Sequence, residues 1–175
     1  MLAQIATSPS AMRSHEELFA YWTSLREEGR LPARAHINPD RFKRHLPTVS
    51  LIDVLDPRHA GYSFTLPDVA ADNASGAGFL VGAEGVEPSG FDLRLTGVVL
   101  SKNGELVATA TGAEVLGHPA ASVAWLVRAL AARGRGLSAG QVVLSGALTA
   151  AVAVAPGDVI TAEFDRVGAV ELTCG

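Results

Sequence analysis

Residues 112–165 constrain the fold more than any other part of the chain, because a helical period, an apolar run and a set of turn signals follow one another there without a gap. His118-Pro119 opens a helix, since the fixed φ of proline suits a first helical turn. Val123, Leu126, Val127 and Leu130 then recur at helical spacing, and Arg133-Gly134 supplies a basic last turn and a stop. The pattern predicts a helix over 119–133. Residues 141–144 are apolar and β-branched, which predicts a buried strand ended by Ser145-Gly146. Residues 152–154, the turn at Pro156-Gly157-Asp158 and residues 159–164 predict a hairpin-like pair.

The 175 residues suffice for one ordinary domain or two small ones. With 48% hydrophobic and 18% charged residues, a packed core is expected and global disorder is not. No apolar run reaches the length of a membrane span, and the N-terminus lacks the charged-then-apolar order of a secretion signal. The single cysteine, Cys174, excludes an internal disulfide and a cysteine-cluster metal site. A cytoplasmic location is the expectation. The net charge of −4 comes without a basic run, which speaks against nucleic-acid binding. The charge is uneven, however: residues 1–60 hold 8 Lys/Arg and 7 Asp/Glu, residues 61–175 hold 6 and 11.

Upstream, Ser14 and Glu17 form a capping-box pattern before Leu18, Tyr21, Trp22 and Leu25, which predicts a helix ending near Gly29. A short helix at 41–45 and a strand at 49–55 follow. Residues 62–66 read as another strand, 67–78 as a loop, 79–81 as a short strand and 82–90 as a turn. Residues 91–101 alternate well, and Asn103-Gly104 marks a tight hairpin turn to a return strand at 106–112. A last strand is expected at 169–173.

Asp72, Asn73 and Ser75 bring a carboxylate, an amide and a hydroxyl into one loop that could orient a polar ligand. An Asx-turn accounts for the same residues. Glu114 and His118 stand four apart, but Gly117 and Pro119 place them across a strand-to-helix turn, where a capping histidine fits. Two such side chains are too few for a metal site. Ser145-Gly146, with Thr149, could offer a hydroxyl and backbone N–H groups to a carboxylate. No GxSxG elbow surrounds Ser145, which argues against a hydrolase nucleophile. His15, His36, His45 and His59 share no spacing and read as surface residues.

Three blocks carry a resemblance: ADNAS at 71–75, FDLRLTGVVLSKNGELVATATGAEVLGHPAASVAWL at 91–126, and GLSAGQVVLSGALTAAVAVAPGDVITAEF at 136–164. In order and spacing they resemble the 2-keto-4-pentenoate hydratase and 4-oxalocrotonate decarboxylase family of aromatic meta-cleavage pathways, within the fumarylacetoacetate hydrolase superfamily. The resemblance implies a lyase that hydrates a 2-hydroxy-dienoate or decarboxylates a 2-keto diacid. It implies a divalent cofactor, Mg²⁺ or Mn²⁺, held by a Glu-x-Glu pair and a further Glu upstream of ADNAS, with an upstream lysine. Neither is found there: Glu16-Glu17 and Glu27-Glu28 are adjacent pairs, and Lys43 lacks a Gly-rich surround. By motif position, Asp72, Asn73 and Ser75 are the expected catalytic residues, and Ser145, Gly146 and His118 the substrate-binding ones. Residues 18–57 (LFAYWTSLREEGRLPARAHINPDRFKRHLPTVSLIDVLDP) resemble the start of a bacterial PAS-like family.

The expected architecture is α+β: a mixed or antiparallel β-roll with the one helix packed on it, and an N-terminal helical arm at 14–46. The expected division is a partial PAS-like segment at 1–60 and a hydratase-family domain at 61–175. The implied partner is a small 2-keto or 2-hydroxy-dienoate carboxylate. A homo-oligomer is expected, and a complementary subunit could supply the missing carboxylates. The rival expectation is a non-catalytic PAS-like sensory or interaction module fused to a hydratase half.

Overall fold

The computed structural model describes residues 2–6 (backbone only), 48–60, 63–83, 85–138 and 141–175. The expected helices at 14–29 and 41–45 lie outside the described residues. The elements are β1 (Leu2–Ala6), β2 (Leu51–Leu55), α1 (Leu66–Ala71), β3 (Gly76–Val81), β4 (Gly97–Lys102), β5 (Glu105–Thr111), α2 (Pro119–Ala131), β6 (Val152–Ala153), β7 (Val159–Phe164) and β8 (Gly168–Thr173). They form two four-stranded sheets, ordered β3-β2-β1-β6 and β5-β4-β7-β8. The first is mixed: β1 runs parallel to β2 and β6, whereas β2 and β3 are antiparallel. The second is antiparallel throughout. This is the α+β arrangement expected, with one long helix.

The second sheet follows directly from its sequence. Val98 and Leu100 of β4 and Ile160, Ala162 and Phe164 of β7 alternate inward at 0–4% exposure. Asn103 (φ 54°) and Gly104 (φ 81°) both take the left-handed conformations that a two-residue hairpin turn demands. Asn103 also accepts the Val159 N–H at Oδ1 (2.8 Å) and donates from Nδ2 to Asp158 (2.8 Å), joining the hairpin to β7. Ile52 of the first sheet enters the same core, with Val115, Leu148 and Val167 from the connections. Each of the larger aliphatic side chains there stabilises the fold by about 1.5–3 kcal/mol.

Several expectations change. Residues 66–71 form a helix, where a strand and loop were expected. Pro67 sits in its first turn, and Asp68 Oδ2 reaches back to the Thr65 N–H (2.8 Å), satisfying a donor the helix leaves open. β4 begins at Gly97, not at 91. Asp92 accepts the Arg94 N–H and its carbonyl accepts that of Leu95, so the chain turns before it extends. Residues 141–144 form no strand. Val142 is 49% and Leu144 38% exposed, and an apolar run becomes a strand only beside an edge to pair with. β6 and β7 do not pair as a hairpin: β6 joins β1, and β7 lies between β4 and β8. The turn between them closes on the C-terminus instead, through Gly157 N–H to the Cys174 carbonyl (2.7 Å) and Cys174 N–H to that of Asp158 (2.8 Å). The long helix ends at Ala131, with Gly134 (φ 66°) just beyond it. Among the described residues no helix is long and apolar enough to cross a membrane.

Candidate functional site

The motif residues occupy two turns and one helix start. Asp72, Asn73 and Ser75 lie together between α1 and β3. Asn73, Ala74 and Ser75 have φ of 51°, 55° and 61°, three consecutive left-handed residues without a glycine among them. Such conformations cost on the order of 1–3 kcal/mol per residue and persist only where the surroundings enforce them. Here they are enforced. The Ser75 N–H donates to the Asp72 carbonyl (2.9 Å), and the Ser75 carbonyl accepts the Asp56 N–H (2.9 Å). Asp72 is 5% exposed, and its carboxylate accepts the Arg58 N–H (3.1 Å) and Arg58 Nη1 (2.7 Å). Arg58 Nη1 also reaches the Asp72 carbonyl (3.2 Å). The Arg58 guanidinium, above all, holds the Asp72 carboxyl below the usual carboxylate range.

The second turn hangs on the start of α2. His118 is the N-cap, its Nδ1 accepting the Ala120 N–H at 3.0 Å. One turn later, Ser122 Oγ donates to the Ser145 carbonyl (2.5 Å). Gly146 (φ 118°) comes so close to Val115 that a Cβ there would stand 3.3 Å from Cγ1. His118, Ser145 and Gly146 are thus gathered around the α2 N-terminus. Thr149, three residues on, is 4% exposed, and its Oγ1 has no hydrogen-bond partner among the described residues. Glu114 is exposed in the preceding 3-10 turn, at 112–114.

Two residues outside the motif blocks, one gripping the first turn and one buried in β2, are not picked out by the sequence. Arg58 carries no local signal, because its partner lies 14 residues away. Asp53 did carry one: a carboxylate interrupts the apolar run of β2, and the structure buries it at 8% exposure, in register with Gln4 of β1 and Phe79 of β3. His59, read as a surface residue, is half-buried, edge-on to Phe64 with ring centroids 5.9 Å apart.

A divalent-metal centre needs several oxygen ligands converging on one point. Among the described residues no group of three or more His, Cys, Asp or Glu could hold an ion. Three acidic side chains of the motif blocks are paired with cations: Asp72 with Arg58, Asp92 with Arg94, and Asp158 with Lys102. The described residues therefore do not fit such a centre.

The profile of the fumarylacetoacetate (FAA) hydrolase C-terminal family matches residues 58–174, and that of a PAS domain matches residues 10–66. A 4-oxalocrotonate decarboxylase of Pseudomonas sp. (strain CF600) is 47% identical over 116 residues, covering 66% of this chain and 44% of that protein. A 2-keto-4-pentenoate hydratase of Paraburkholderia xenovorans (strain LB400) is 41% identical over 122 residues, 70% of this chain and 45% of that protein. The structure of 4-oxalocrotonate decarboxylase from Pseudomonas putida G7 complexed with magnesium and adipate superposes with a TM-score of 0.69 at 42% identity, over 73% of this chain and 48% of that one. The same enzyme is also known complexed with calcium and acetate. The chain spans about half the length of these relatives. With two thirds of its residues inside the matched profile, the chain belongs to the fumarylacetoacetate hydrolase C-terminal family.

Proposed function

We propose that the chain binds a small 2-keto or 2-hydroxy-dienoate carboxylate and shares the reaction class of its relatives: hydration of a 2-hydroxy-dienoate or decarboxylation of a 2-keto diacid in aromatic meta-cleavage degradation. The observation that carries this reading is the pair of motif turns, with the buried, unpartnered hydroxyl of Thr149 beside the second. A buried donor without a partner costs about 1–3 kcal/mol, which a ligand oxygen would recover. In this reading Ser145, the Gly146 N–H and Thr149 receive the carboxylate, and His118 fixes the helix start beneath them. Asn73 and Ser75 orient the rest of the substrate or a water. The relatives' magnesium and calcium complexes support a divalent cofactor, Mg²⁺ or Mn²⁺. The described residues themselves hold no group of ligands for such an ion.

That misfit favours a second reading, a non-catalytic PAS-like sensory or interaction module fused to a hydratase-type half. A homo-oligomer, or a complementary subunit supplying carboxylates, would reconcile the two, in a cytoplasmic setting. The two profile matches support a division by ancestry near residue 60. Ultraviolet assay of dienol loss with and without Mn²⁺, beside calorimetric titration of Mn²⁺ and adipate, tests these readings. The expected result is adipate binding, Mn²⁺ binding no tighter than ~1 mM, as weakly built hard-cation sites give, and little turnover. Micromolar Mn²⁺ binding with metal-dependent dienol loss would show that the chain makes its own centre. No adipate binding would favour the second reading.

A further inference from the structure

We propose that Arg58 is a positioning residue for the 73–75 turn, acting through Asp72, so that Asp72 holds the site in shape and does not itself meet substrate. This deepens the carboxylate-binding reading above and rests on it. Three observations converge. The first is conformational: three consecutive residues other than glycine have φ between 51° and 61°. Free in water, such a segment would relax toward the right-handed or extended regions.

The second is how the turn is held. Its two ends are tied to one short segment, 56–58, at the exit of β2. The Asp56 N–H fixes the Ser75 carbonyl, and Arg58 fixes Asp72 with a backbone N–H and a guanidinium nitrogen. Because Arg58 Nη1 bonds both the carboxylate and the carbonyl of Asp72, it sets the direction in which the chain leaves Asp72 for Asn73.

The third is accessibility. The Asp72 side chain is 3% exposed and already accepts bonds at both carboxylate oxygens, whereas the Arg58 side chain is 63% exposed. A carboxylate covered and engaged in this way is poorly placed to take a proton from a substrate. It is well placed to hold the strained turn beside it. Arg58 lies where the two profile matches overlap, whereas Asp56 falls within the PAS match alone.

The test uses the full chain and two readouts: amide and ¹³C NMR shifts at residues 73–75, and calorimetric binding of adipate. Arg58→Ala is expected to move the 73–75 resonances off their left-handed values while those of the 97–111 hairpin stay in place. It should weaken adipate binding by about tenfold, the equivalent of one charge-assisted hydrogen bond. Arg58→Lys, which keeps a cation in reach of Asp72, should restore most of both. Should Arg58→Ala fail to fold, Asp72→Asn carries the same two readouts, since it keeps the shape and removes the charge. Left-handed shifts that persist at 73–75 in Arg58→Ala would overturn the proposal, as would shifts that change equally across both sheets. If adipate does not bind the unaltered chain but Arg58→Ala still dislodges the turn, the carboxylate reading falls and the positioning role of Arg58 stands.

Discussion

The two sheets are built in different ways. In β5-β4-β7-β8 two pairs of consecutive strands, β4-β5 and β7-β8, lie side by side through β4 and β7, and the inward residues alternate cleanly. In β3-β2-β1-β6 the neighbours come from residues 2–6, 51–55, 76–81 and 152–153, and three consecutive residues of β2, Leu51 to Asp53, are buried. The difference is repeated in two aspartates. Asp158, just before β7 of the regular sheet, accepts from Lys102, Asn103 and the Ala155 N–H and steadies turns whose left-handed positions are filled by asparagine and glycine. Asp72, beside the irregular sheet, steadies a turn in which alanine and serine are held left-handed. Left-handed residues other than glycine stand singly in the regular half, as at Arg166 (φ 62°) between β7 and β8, and three in a row where the family motif ADNAS lies.

The largest effect is expected from the core the sheets share. Leu100→Ala removes a side chain at 0% exposure and should cost about 2–5 kcal/mol in urea denaturation. Both sheets should melt in one transition, because Ile52 packs into the same cluster. Two separate transitions would split the comparison into two independent bodies.

A smaller loss is expected from Gly112→Ala. A Cβ there would stand 1.8 Å from the Leu93 carbonyl oxygen, an approach that must push backbone aside. Overpacking of this kind costs about 1–3 kcal/mol, measurable as a lower denaturation midpoint. A neutral result would mean that the 93–112 contact is loose.

Ala74→Gly should act in the opposite direction. It removes the Cβ that makes φ 55° unfavourable and should raise stability by up to about 1 kcal/mol, less the added freedom of the unfolded chain. Thermal unfolding checks it; a loss of stability would mean that the turn is not strained.

The smallest effect concerns acid. Asp158 is lowered from the ordinary 3.8 to about 2, chiefly by Lys102 and then by Asn103 and the Ala155 N–H. Its folded pKa is depressed, so its contribution is present above about pH 4 and is lost as pH falls through about 2. Lys102→Met should bring the Asp158 titration back toward 3.8, followed by carboxyl ¹³C NMR, without moving that of Asp72. Coupled movement of both would contradict the separation of the two regions.

Local chemistry explains what was legible in the sequence. The 97–111 hairpin follows from Asn103-Gly104, and α2 from Pro119 at its start and Gly134 past its end. Of the mixed sheet, the apolar strands at 51–55, 79–81 and 152–153 are legible, but β1 and the pairings are not, because the pairings join residues far apart. α1 looks like loop in the sequence because Pro67 and Asp68 are common turn residues, although the Thr65-Asp68 spacing holds the capping signal. Of the candidate site, the composition of both turns could be read from motif blocks. The grip of Arg58 on Asp72 could not, since it depends on a three-dimensional return of the chain.

Strand β5 lies at the rim of its sheet with Leu106 64% and Val107 42% exposed, an apolar margin that invites another strand. The register shift opposite Leu100 and Ser101 leaves Val107 as an extra residue, and a bulge sharpens the local twist. A straight strand from a neighbouring molecule could not follow that rim past Val107. The irregularity is thus of the kind that blunts a sheet edge against pairing with another chain, and it lies apart in sequence from both motif turns.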